Sequence, residues 1–302
     1  MPEPRPELLV EPAWVENRLS DPKLSVFDCT LTRVPQPDGA SLWESGRAAF
    51  ENAHIPGASY LHMVENLSAP TGTVPYGLPP PDAIARLLSS FGVTDDTTIV
   101  LYGNGGQSVV HRAWWVLTAS GAQDVRVLDG GWQRWSAEDR PVETGAALPR
   151  VASGRLSLRP RPEAVVRRQE VIGMLGDPGV WLIHSLTPEQ FAGTGGQVYG
   201  RPGRIPGSIN IPASSLIDTD TLRFQSIEKL TTLFDSAGVD QAETIVPYCG
   251  GGIAATTVFL GLAVAGYENV RLYDGSLLDW AADPEAPMVT DTDEAPRSAN
   301  QE

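Results

Sequence analysis

Residues 244–255 read Thr-Ile-Val-Pro-Tyr-Cys-Gly-Gly-Gly-Ile-Ala-Ala, a short apolar run that ends in a cysteine, three glycines and the start of a second apolar stretch. Thr244 to Tyr248 is short and rich in β-branched and aromatic residues, the pattern of a buried strand. Ile253 to Leu260 is long enough for a helix. Cys249 therefore stands in a tight strand-to-helix loop, where glycines let successive backbone N–H groups turn inward as an anion-binding nest. Such a nest stabilises a thiolate, the nucleophile and sulfur acceptor that persulfide chemistry needs. Three glycines in a row cost chain entropy unless the backbone must bend around something. That sets Cys249 apart from an ordinary buried cysteine.

The same stretch occurs twice. Residues 98–106, Thr-Ile-Val-Leu-Tyr-Gly-Asn-Gly-Gly, align with 244–252 at an offset of about 146, and Asp129-Gly130-Gly131 aligns with Asp274-Gly275-Ser276. Upstream, His54-Ile55-Pro56-Gly57-Ala58 matches Arg204-Ile205-Pro206-Gly207-Ser208. The chain reads as two copies of one domain. In each, a buried strand comes early (Leu24 to Asp28; Val180 to Ile183) and an amphipathic helix precedes the Thr-Ile-Val strand. Ala83, Ile84, Leu87, Leu88 and Phe91 mark that helix in the first copy, and Ile227, Leu230, Leu233 and Phe234 in the second. Thr187-Pro188-Glu189-Gln190 predicts a capped helix start. Alternating short strands and helices predict an α/β fold with a mainly parallel sheet flanked by helices in each copy, ligands sitting beyond the carboxyl ends of the strands. The expected division is 8–143 for the first domain, 144–158 for a linker, 159–282 for the second domain, and 283–302 for a polar, disordered tail.

With 302 residues and 41% hydrophobic content the chain can build two cores. A net charge of −15 repels phosphate backbones and anionic membranes, so nucleic acid and membrane are not expected as partners. No apolar run reaches the roughly 20 residues of a spanning helix, and Met1 to Val10 lacks a signal-peptide core, so a cytoplasmic location is expected. Two cysteines, Cys29 and Cys249, are too few for a disulfide framework. His54, His62, His111 and His184 lack metal-ligand spacing, so no metal is expected. Gly103-Asn104-Gly105-Gly106 lacks the full dinucleotide fingerprint, and no cofactor is expected. Cys29, at a strand end without a glycine loop, is assigned to the core.

The tandem copies, the two Ile-Pro-Gly segments, Ala113-Trp114-Trp115, the two Asp-Gly turns and the cysteine-initiated loop together resemble the rhodanese and mercaptopyruvate sulfurtransferase family over residues 8 to 282. The resemblance implies two tandem rhodanese-like domains. The second would be active through Cys249, and the first would be an inactive copy with Gly103 at the cysteine position. It further implies that Gly250, Gly251, Gly252, Ile253 and Ala254 form the persulfide-stabilising loop. That loop carries no arginine to clamp phosphate, so it does not suit a cysteine phosphatase. Its uncharged glycines look like mercaptopyruvate-using rather than thiosulfate-using relatives.

Several positions depart from the family pattern. Gly251 stands in place of a serine and Ala254 in place of a threonine. His62 and Val64 replace an acidic pair, and Tyr76 replaces a histidine. His184-Ser185-Leu186 and Phe191-Ala192-Gly193 lack the arginines that the resemblance assigns to the substrate carboxylate. Arg201 and Arg204 are the candidates to take over that role, with His62, Tyr76, His111 and Arg112 as further pocket residues. The expected activity moves a sulfane sulfur from a small donor through a Cys249 persulfide to a thiol or sulfur-carrier acceptor, in a specialised biosynthetic pathway. The competing expectation is a catalytically impaired module that binds a sulfur carrier or acts as a scaffold.

Overall fold

A computed structural model of the chain describes residues 3–35, 41–69, 74–146 and 154–292. The first half holds a five-stranded parallel sheet made of β1 (Leu9–Val10), β2 (Leu24–Asp28), β5 (Ser59–Tyr60), β6 (Thr98–Tyr102) and β7 (Val125–Leu128), ordered β1-β7-β6-β2-β5. An antiparallel hairpin of β3 (Leu31–Pro35) and β4 (Ser41–Ser45) leaves the end of β2.

The second half repeats the plan. β10 (Ile209–Asn210), β9 (Val180–His184) and β11 (Thr244–Tyr248) pair in parallel, as do β12 (Leu272–Tyr273) and β8 (Val165–Val166). Ile245 joins the two pieces by a parallel bridge to Val270. The resulting order, β8-β12-β11-β9-β10, is that of the first half. All five residues of β2 are buried, as expected for a strand covered on both faces.

The motifs that revealed the repeat meet in space. The Tyr102 hydroxyl accepts the Ile55 amide at 3.3 Å, and the Tyr248 hydroxyl accepts the Ile205 amide at 3.1 Å. Each x-Ile-Pro-Gly turn is thereby pinned to the strand that ends at Gly103 or Cys249. The predicted helices run from Pro81 to Ser90 and Ile227 to Ser236, and Thr187 and Gln190 form the expected capping box.

The halves join through the helices Gln107–Ala119 and Ala254–Val264. Both are almost wholly buried, and the Trp114 and Phe259 rings meet at a tilt with centroids 6.2 Å apart. One continuous core contains Phe27 and Leu101 from the first half with Ile183, Cys249 and Val258 from the second. Two aspartates stitch the seam reciprocally. Asp274 accepts the Leu78 amide of the first half at 2.9 Å, while Asp129 accepts the Phe224 amide of the second at 2.9 Å.

One expectation needs correction. Residues 283–292, read from composition as part of a disordered tail, pack onto the second half. Ala286 is buried, the Trp280 indole donates to Pro287 O at 2.9 Å, and Val289 exchanges backbone bonds with Arg204. Polar composition hid the few residues that anchor this segment; 293–302 lie outside the described residues, as do 147–153 of the expected linker. Among the described residues no helix is long and apolar enough to cross a membrane.

Candidate active site

β11 delivers Cys249 to the carboxyl end of the sheet, and the chain then bends through its three glycines into the helix Ala254–Val264. The bend needs glycine at two of the three for steric reasons. A Cβ on Gly250 would lie 2.2 Å from Tyr199 Cζ, because the tyrosine ring rests directly on that backbone. A Cβ on Gly252 would lie 2.6 Å from Asp274 O, and its φ of +84° belongs to the left-handed region. With the chain so bent, the Gly252 amide donates to Cys249 Sγ at 3.2 Å.

Ser276 supports the cysteine from the other side. Its hydroxyl accepts the Cys249 amide at 3.1 Å and lies 3.0 Å from Tyr273 O and 3.9 Å from Sγ. The single hydroxyl proton goes to the nearer carbonyl. Ser276 is wholly buried with φ of +50°, where the aligned Gly131 has +56°. A serine held in a conformation that disfavours a Cβ is a strained residue, here packed beside Cys249. Sequence reading treated 274–276 only as a turn; the exchange of serine for glycine between the copies was the available signal.

Arg112, from the first half, lies behind the loop with no exposed side-chain surface. It donates to Gly252 O at 3.1 Å, to Asp274 Oδ1 at 2.6 Å and to Tyr76 O, and stacks 4.6 Å over the Trp115 ring. One guanidinium thus ties the cysteine loop, the Asp-Gly turn and a loop of the opposite half together. His111 beside it bonds Thr257 Oγ1 at 2.9 Å, and burial pushes its pKa down to about 3. The imidazole is neutral and structural at neutral pH.

Above Sγ opens a cavity of about 350 Å³. The first half contributes Trp43, Pro75, Tyr76 and Ser108; the second contributes Leu186, Tyr199, Ile253 and Leu278 around Cys249, Gly250 and Gly251. Tyr76 was an expected pocket residue, and Ala254 of the expected loop lines the cavity as well. Trp43, Ser108 and Leu278 were missed, because they reach the cysteine only through the tertiary fold. A larger cleft of about 860 Å³, containing Arg161, Arg167, Arg168 and Arg271, opens elsewhere between the halves and includes neither cysteine.

Arg201, Arg204 and His62 do not occupy the roles expected of them. Arg201 donates to the carbonyls of Asp283 and Ala286 at 2.9 and 2.8 Å. Arg204 is 5% exposed, pairs with Asp291 at 2.7 Å, donates to Phe191 O at 3.1 Å and lies 4.2 Å over the Phe191 ring. Both arginines are engaged by the segment that composition had placed outside the fold. His62 caps the helix Met63–Leu67, its Nδ1 accepting the Glu65 amide at 3.1 Å.

Cys29 is fully buried, and burial pushes its thiol well above the ordinary range, with the Asp28 carboxylate adding to the effect. In the first copy Gly103 takes the place of Cys249. A Cβ there would lie 2.8 Å from Val110 Cγ2, so a side chain in this loop requires Val110 to shift.

Comparison with known proteins fits this geometry. A family model for the rhodanese-like domain matches residues 11–138 and 168–283. The chain is 30% identical over 277 residues to the 3-mercaptopyruvate sulfurtransferase of Escherichia coli K12, covering 91% of this chain and 95% of the relative. It is 32% identical over 258 residues to the putative thiosulfate sulfurtransferase SseB of Mycobacterium tuberculosis, covering 85% and 87%. The crystal structure of Escherichia coli SseA superposes with a TM-score of 0.77 at 29% identity, covering 89% of this chain and 98% of that one. An anaerobic ergothioneine biosynthesis enzyme from Chlorobium limicola has a TM-score of 0.78 at 22% identity, covering 94% of this chain and 70% of that one, a likeness of fold alone. Two matched domains, most of the chain's length and a shared sheet order agree: this chain belongs to the rhodanese family, as a tandem-domain, divergent member.

Proposed function

We propose that Cys249 carries the transferred sulfur as a persulfide. The chain is a sulfurtransferase, and the observation that carries this assignment of its nucleophile is the Gly252 amide aimed at Sγ from 3.2 Å at the floor of the interdomain cavity. The Cys249 thiolate attacks the outer sulfur of a sulfane donor, the donor's S–S or C–S bond breaks, and the leaving group takes the electron pair. The loop amide lies where negative charge sits on the reacting sulfurs, so it lowers the barrier electrostatically. An acceptor thiolate then attacks the outer persulfide sulfur and returns Cys249 to the thiolate, completing a double displacement. Donor and acceptor are small thiols or sulfane compounds; two unpaired buried cysteines suit a reducing, cytoplasmic setting.

The test is turnover with 3-mercaptopyruvate, thiosulfate and an alkyl thiosulfonate as donors and dithiothreitol as acceptor, read as released sulfide. Wild type is expected to turn over at least one donor. Cys249→Ser is expected to lose all of that rate, and a Cys249→Ser protein that keeps it removes Cys249 from the reaction.

A further inference from the structure

The walls around Cys249 have a chemical character that the persulfide step does not require. Tyr199 rests its ring on Gly250, so close that any side chain there would collide with it. On the other side of the loop, Tyr76 Cδ2 and Cε2 lie 3.8 and 3.9 Å from where a Gly251 Cβ would be. Tyr76 and Trp43 pack against the same apolar cluster, with Met63 and Val109, and line the cavity together. The cavity over Cys249 is thus lined by aromatic side chains from both halves of the chain, with Pro75, Leu186, Val198, Ile253 and Leu278 adding apolar surface and Ser108 and Gln197 polar groups.

Aromatic side chains bind a ring through buried area and through offset or edge-on contacts, and a small hydrophilic anion gains little from either. The cavity, about 350 Å³, has room for a ring beside the reacting sulfur. Arg201 and Arg204, the expected anchors for a carboxylate, are committed to the 283–291 segment.

We propose that the sulfur donor used at Cys249 carries a planar aromatic group next to its sulfane sulfur. This rests on Cys249 being the persulfide-forming residue. With an aryl thiosulfonate the step balances: the thiolate attacks the terminal sulfur, the bond between that sulfur and the sulfonyl sulfur breaks, and aryl sulfinate leaves with the electron pair. Cys249 keeps the sulfur as a persulfide anion.

Benzenethiosulfonate and methanethiosulfonate share this chemistry and differ in the ring. The experiment measures the rate of persulfide formation on Cys249 with each donor by quench and intact mass. Each rate is divided by that of the same donor with a free thiol in solution. The corrected preference for the benzene donor is expected to be roughly tenfold or more in wild type, the worth of one ring's burial and contacts. Trp43→Ala and Tyr199→Ala are each expected to lower it several-fold. The preference is a ratio within one protein, so a variant with a reduced folded fraction still reports it. A corrected preference near unity in wild type overturns the inference while leaving the persulfide reading standing. So does a strong preference that neither variant reduces. If neither thiosulfonate loads Cys249 while 3-mercaptopyruvate or thiosulfate does, the inference falls and the persulfide reading stands; if no donor loads it, both fail.

Discussion

Replacing Arg112 by methionine tests whether the first half holds the cysteine loop in shape. Arg112 has no exposed side-chain surface and its partner Asp274 is 12% exposed, so their 2.6 Å pair is sheltered from solvent. Removing one member of a buried pair leaves the other charge uncompensated, which costs about 3–5 kcal/mol. The lost contacts to Gly252 O and Tyr76 O place Arg112→Met toward the upper part of that range. At roughly 2–4 °C per kcal/mol for a chain of this size, Tm should fall by about 8–20 °C. Loading should suffer separately. With its carbonyl released, the Gly252 amide no longer stays aimed at Sγ, and a misplaced donor of this kind slows a reaction roughly tenfold to hundredfold. Calorimetry and rapid-quench persulfide formation measure the two effects. Adding Asp274→Asn should recover about 2 kcal/mol, because the stranded charge is gone. An Arg112→Met protein within about 2 °C of wild type, loading sulfur at the wild-type rate, would show that Arg112 does not hold the loop.

Three further outcomes are expected. Gly250→Ala places a Cβ 2.2 Å from Tyr199 Cζ, so the variant should lose about 1–3 kcal/mol and load sulfur more slowly. Tyr199→Ala in the same chain should relieve most of the stability loss, and an unaffected single variant would contradict the packing. Ser276→Ala leaves the Cys249 amide without its buried acceptor, at about 1–3 kcal/mol, whereas Ser276→Gly also relieves the left-handed backbone. The glycine variant should therefore be more stable than the alanine variant by about 1 kcal/mol, and the reverse order would count against strain at this site. Burial pushes His184 down to about 4, with the Arg204 charge adding to it, and pushes His111 down to about 3, from an ordinary 6.5. The unfolded chain binds these protons first, so stability present above pH 6.5 is lost as pH falls toward 4, by at most about 1.4 kcal/mol per pH unit for each histidine. Denaturant midpoints at pH 7 and pH 5 should separate less in a His111→Gln/His184→Gln variant than in wild type; equal separation would rule out this origin.

The parts of the fold legible in the sequence were those in which a local signal is also the structural contact. Tyr102 with Ile55, and Tyr248 with Ile205, are motif residues that bond directly to one another. The capping box at Thr187 is a matter of four consecutive residues. Cys249 and its glycines were equally visible, although the glycines do more than present amides, since two of them make room for Tyr199 and Asp274. What remained hidden depends on long-range partners. A polar segment such as 283–292 looks unstructured until the Trp280 indole and Arg201 bind its carbonyls and Arg204 pairs with Asp291. Arg201 and Arg204, lacking visible partners in the sequence, were then free to be read as substrate ligands. The aromatic walls come from Trp43, Tyr76 and Tyr199, far apart in the chain, and no spacing rule joins them.

The transferred sulfur has two cysteines on which it could be held, Cys29 and Cys249. Peptide mapping by mass spectrometry, after loading with methanethiosulfonate and blocking with an alkylating reagent, locates it. One extra sulfur is predicted on the peptide that contains Cys249 and none on the peptide that contains Cys29, whose fully buried thiol is held protonated. Sulfur on Cys29, or a protein that turns over methanethiosulfonate with no sulfur on Cys249, would place the persulfide elsewhere.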